Sequence, residues 1–133
     1  MTDFSTLPLA AVAPFPAPDG SKVRPLLGLQ GGSFAHFELL PGETSKAVAH
    51  HTVEEIWFIV GGRGQMWRRQ GEHEKTVELE AGVCLTIPLG THFQFRCLGD
   101  EPLAMVAATM PPWPTDREEA YPVEGTWPAS VGG

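Results

Sequence analysis

Apolar and polar residues alternate along this chain in short runs, and turn residues interrupt them. In "EIWFIV", Glu55, Trp57 and Ile59 fall on one face of a strand, and Ile56, Phe58 and Val60 fall on the other. Both faces are largely apolar, which predicts a strand covered on each side. The same pattern predicts strands over 22–29, 33–40, 47–50, 55–60, 64–70, 76–79, 83–87, 93–97 and 103–110. Gly31-Gly32, Pro41-Gly42, Gly61-Gly62, "QGEHE" and "LGDEP" punctuate them. Only "TDREEA" suggests a helical turn. Many short strands at this spacing predict an all-β sandwich or barrel.

The two ends differ from this middle. Residues 1–20 are rich in Pro and Ala and read as extended, while 111–133 carry five prolines together with Trp113, Tyr121 and Trp127. Proline at that density forbids long helices. Aromatics in an irregular tail pack on something, either the barrel or a second subunit. One domain is expected: an N-terminal segment (1–20), a barrel (21–110) and a tail (111–133).

A chain of 133 residues buries enough surface for a core that needs no staples. Its two cysteines, Cys84 and Cys97, therefore read as reduced thiols. The formal net charge is -7, and the only basic pair is Arg68-Arg69, so nucleic acid is not an expected partner. That pair reads as one solvated and one half-packed residue of a hairpin. The N-terminus lacks a cationic start, and prolines break its short apolar run, so it is a poor secretory signal. No apolar stretch approaches the ~20 residues that span a bilayer. A cytoplasmic protein with no membrane partner is the expectation.

The chemistry concentrates in "PGETSKAVAHHTVEEIWFIVGG", where two adjacent histidines precede two adjacent glutamates. Gly42, Val48, His50, Glu55 and Gly62 are spaced as in the motif G-x5-H-x-H-x(3,4)-E-x6-G, with valine at the first histidine position. Gly82, Pro88, Gly90, Phe93 and Cys97 are spaced as in G-x5-P-x-G-x2-H-x3-N, with phenylalanine and cysteine at the histidine and asparagine positions. Two such motifs in order, over 42–97, resemble those of the cupin family. The resemblance implies a double-stranded β-helix, or jelly-roll barrel, with its site inside. In the family, three imidazoles and a carboxylate hold Fe, Mn, Ni, Cu or Zn. A strict carry-over leaves His50 and Glu55 of that set.

Two versions of the chemistry follow. In one, His50, Glu55 and His92, with His51 as a substitute or His36 in support, bind a divalent transition metal that activates dioxygen or polarises a carbonyl. In the other no metal binds, and His50 and Glu55 form an acid–base pair in an apolar cavity, as in an isomerase. Trp57, His36, Phe93 and Phe95 are the expected cavity walls. A regular register keeps Phe93, Phe95 and Cys97 inside, with His92 at the strand mouth; a bulge after Gly90 would turn His92 inward. His73 and Glu54 read as solvent-exposed. A non-catalytic small-molecule or sugar-binding module is the alternative function. A homodimer is expected by analogy with small cupins, with the Pro- and Trp-rich ends as its contact area.

Overall fold

The computed structural model describes residues 2–131, and its strands form two antiparallel sheets. The first sheet has the order β1 (Phe15–Pro16), β2 (Lys22–Leu29), β3 (Gly32–Leu39), β10 (Leu103–Met110), β5 (Glu54–Gly61), β8 (Cys84–Ile87). The second has the order β11 (Ala120–Pro122), β4 (Val48–His50), β9 (His92–Cys97), β6 (Arg63–Gln70), β7 (His73–Glu80). The expected strands are present. β7 is longer than its pattern suggested because pairing with β6 carries it from Gln70↔His73 to Arg63↔Glu80.

The core lies between the sheets. Trp57 stacks on Phe37 at 5.8 Å and meets Phe95 and Phe93 edge-on at 5.0 and 5.7 Å. Leu39, Ile59, Met66, Leu79, Leu103 and Met105 complete it, all fully buried. Phe95 thus belongs to the core below the cavity, not to the cavity wall. Cys84 and Cys97 are free thiols.

Two expectations need correction. "TDREEA" forms no helical turn; the one 3-10 turn among the described residues is Leu9–Ala11, in the segment read as extended. The reason lies in Glu119, whose carbonyl accepts from the His51 amide at 2.9 Å and whose carboxylate accepts from the Thr52 amide at 2.6 Å. Those bonds hold the segment against the β4–β5 loop. Second, β5 is covered on one face only. Trp57 and Ile59 are buried, whereas Ile56, Phe58 and Val60 are 44%, 46% and 46% exposed. The tail packs on the barrel, one of the two places expected for its aromatics. β11 pairs with β4, and Trp127 lies 4.2 Å beneath the Arg96 guanidinium.

Gln94 fixes that tail. Its Nε2 donates to the carbonyls of Ser45 at 2.9 Å and Trp127 at 2.8 Å, and its Oε1 accepts from the amides of Thr126 and Trp127, both at 3.0 Å. Replacing Gln94 by Leu leaves these backbone groups without their partner, and urea unfolding is expected to show a loss of about 2 kcal/mol. An unchanged midpoint would mean that the tail does not stay docked.

Candidate active site

β4 ends at His50 in one sheet, and β5 begins at Glu54 in the other. The loop between them crosses the sandwich. This crossing turns the sequence neighbours His50 and Glu55 towards each other from opposite walls. Glu119 pins the loop: burial alone would raise its pKa, but the hydrogen bonds from Thr52 and the amides of His51 and Val53 outweigh that and keep it low. Nothing in the sequence pattern marks this role for a glutamate in a proline-rich tail.

His50 and Glu55 line one cavity of about 380 Å³ together with Val48, Trp57, Phe93 and Thr109. That volume is in the range of small-molecule sites. The four positions that match the cupin ligand positions (Val48, His50, Glu55 and Phe93) therefore converge, and Val48 and Phe93 are direct partners in the β4–β9 register. His50 Nδ1 lies 4.0 Å from Glu55 Oε1 and, although buried, has no hydrogen-bond partner among the described residues. Its ring is clamped edge-on between Phe93 at 5.3 Å and Trp113 at 5.2 Å. Glu55 accepts from Trp57 Nε1 at 3.0 Å and from Thr109 Oγ1 at 2.6 Å.

Burial disfavours charge here. It lowers the His50 pKa to about 4, against smaller opposing contributions from Glu119 and Asp19, so the imidazole is neutral at pH 7. It raises Glu55 above the ordinary carboxylate range, although Thr109 and Trp57 pull the other way. Asp19 is also raised, chiefly by burial. This carboxyl reaches the cavity from the turn after Pro18, where its Oδ1 accepts from the Ser21 amide at 2.9 Å and the Ser21 hydroxyl at 2.5 Å. The Pro-Asp-Gly turn was the only available signal for Asp19. Trp113, whose amide donates to Ser33 Oγ at 3.0 Å, also lines the cavity.

The other expected site residues lie elsewhere. His92 does not line the cavity: Phe93 points inward, and His92 sits opposite Arg69 on the outer face of its sheet. No bulge interrupts the β6–β9 register to turn it. His36 is on the outer face of the first sheet, between Arg24 and Val106, because Ala35 and Phe37 take the inward positions. His51 is exposed and packs on Tyr121 at 4.4 Å.

The cupin domain model matches residues 35–109 of the chain. The chain belongs to the cupin family. This cupin is 30% identical, over 81% of its length and 87% of the relative's, to the uncharacterized protein MJ1618 of Methanocaldococcus jannaschii. It also resembles the capsular polysaccharide assembling protein CapF of Staphylococcus aureus, with a TM-score of 0.71 at 18% identity. The match to Bacillus subtilis oxalate decarboxylase, a protein with Mn(II) centers, has a TM-score of 0.71 at 19% identity. Each covers 86% of this chain but only 34% and 31% of the larger proteins, so these two share the fold alone.

The residues of this cupin do not fit a divalent metal. Only two of the four positions carry donors, and protein sites usually supply three or four. Among the described residues, no three His, Cys, Asp or Glu side chains converge as ligands. Asp19 also lines the cavity, but its Oδ1 is committed to Ser21.

Proposed function

We propose that this cupin is a proton-transfer catalyst, of isomerase type, for a small neutral carbonyl compound held in the barrel cavity. The observation that carries this reading is the buried, unpartnered His50 Nδ1 facing Glu55 across a 4.0 Å gap in an apolar pocket. The gap is too long for a direct hydrogen bond and suits two groups that meet through a third molecule. Glu55, its pKa raised by burial, is a stronger base than an ordinary carboxylate once ionised. It takes a proton from the carbon next to the carbonyl and returns it to that carbon or, where that carbon bears a hydroxyl, to the former carbonyl carbon through an enediol. His50, neutral at the working pH, passes the hydroxyl proton to the former carbonyl oxygen in the second case.

Charge sets the substrate class. Among the described residues, no Lys or Arg lines the cavity, while Asp19 and Glu55 both do. An anion such as oxalate would be buried there without a cation, at a penalty of several kcal/mol. The test is incubation with neutral ketones and aldehydes in deuterium oxide, followed by mass spectrometry. Enzyme-dependent exchange at the carbon beside the carbonyl is the expected result. Exchange that depends on added metal ions would favour the metal-dependent version instead.

The bare face of β5 supports a homodimer. Phe58 pairs in register with Val106, Ile56 with Ala108, and Ala108 with Phe34, which makes a continuous apolar surface across three strands. Contiguous patches of this kind mark interaction sites. The tail aromatics pack on their own barrel, so the contact area moves from the ends to this face. Sedimentation is expected to show a species of twice 14.4 kDa, and Phe58→Glu should yield the monomer. A monomeric wild type at micromolar concentration would refute the dimer.

A further inference from the structure

We propose that a groove beside the β6–β7 hairpin binds an oxyanion of the phosphate class, at a second site separate from the barrel cavity. The groove encloses about 200 Å³ and is lined by Arg68, Arg69, His73 and Lys75 with Thr86 and Thr91. It shares no lining residue with the cavity.

The electrostatics of this corner are unbalanced. Arg68 and Lys75 are direct partners in the β6–β7 register, so two cations share one face of the sheet. Like charges placed opposite each other destabilise a strand pair. The chain has sixteen acidic residues against nine basic ones, yet among the described residues no carboxylate side chain lines this groove. Among the described residues, Arg68, Arg69 and Lys75 form no salt bridge. The nearby carboxylate of Glu74 is engaged elsewhere, accepting from Trp67 Nε1 at 3.1 Å.

The donor on that face is also held in place. Arg68 Nη1 donates to the Thr86 carbonyl at 2.9 Å, and its guanidinium keeps further N–H groups for a ligand, since arginine carries five. Arg69, next along the strand, takes the opposite face with His92 and Glu74, so Arg68 and Lys75 carry the binding. Partial burial holds the Arg68 pKa below its ordinary value, consistent with a desolvated cation that lacks a counter-ion. Fixed guanidinium forks suit tetrahedral oxyanions. A long polyanion would meet the acidic remainder of a surface whose net charge is -7, so a compact phosphate group is the better match.

The experiment is an amide NMR titration of the full chain with inorganic phosphate, set against sodium chloride at equal ionic strength. Saturable shifts in the β6–β7 hairpin and at Thr91, specific to phosphate, are expected. Arg68→Gln and Lys75→Gln should each weaken binding about tenfold, the loss of one charge-assisted contact. Glu55→Gln should leave binding unchanged. Should Arg68→Gln fail to fold, Lys75→Gln at its exposed position decides alone. Equal shifts with chloride, a response that never saturates, or unaltered affinity in Lys75→Gln would overturn the proposal.

Discussion

Deuterium exchange into a carbonyl substrate is expected to fall about 10²–10⁴-fold when Glu55 becomes Gln, the usual contribution of a positioned general base. Gln is close in size and shape to Glu. Its amide oxygen can still accept from Trp57 Nε1, and its nitrogen can donate to Thr109 Oγ1, so the two contacts at 3.0 and 2.6 Å have counterparts in the variant. Only the capacity to take a proton is lost. Affinity for a neutral ligand should change by no more than a few-fold, because no ion pair is broken. His50→Gln should lower exchange as well. The combination separates catalysis from a non-catalytic binding module: a module keeps its affinity in both variants and shows no exchange in the wild type either. If Glu55→Gln retained more than about a third of the wild-type rate, the carboxyl would not be the base and the proton-transfer reading would fall.

The fold was legible because turn glycines and alternating strands agree with each other. Gly42, Gly62, Gly82 and Gly90 all adopt positive φ, between 79° and 96°, the conformation that makes glycine the natural choice at a strand end. The same residues anchor both motifs. His50 and Glu55 were legible through the first of those motifs, because the resemblance to the cupin pattern implies that these two positions meet inside the barrel. His92 was not. Both faces of β9 are covered, Phe93 and Phe95 by the core and Gln94 by the tail, so alternation could not assign its parity. Asp19 and Glu119 enter the site or brace it from segments with no strand period at all. The pattern on β5 has a different lesson. Its outer residues are as apolar as a buried face, yet the single chain leaves them exposed. On our reading, that sequence was shaped by an assembly larger than one chain.

The stability of this cupin should depend on pH through the same pair, with opposite signs that variants can separate. His50 has a folded pKa of about 4 against 6.5 for the free side chain. Between those values the unfolded chain holds a proton that the folded chain refuses, so stability falls as pH drops from 6.5 to about 4. The gap amounts to about 3 kcal/mol, at about 1.4 kcal/mol per pH unit. Glu55 and Asp19 act in reverse. Their folded pKa values are raised, so their contribution is present at low pH and lost as pH rises above the ordinary carboxylate range. Over pH 4.5–6.5 the effects oppose, and the wild-type profile should be flatter than either group alone would make it. Urea unfolding of wild type and His50→Gln across pH 4–8 isolates the imidazole. The wild type should gain about 3 kcal/mol on the variant from pH 4 to 6.5 and nothing above that. Against Glu55→Gln the trend inverts, and the wild type should lose ground to the isostere as pH rises past 4.5. Both differences would be independent of pH if the two groups faced solvent, and such a result would remove the dry pocket on which the chemistry depends.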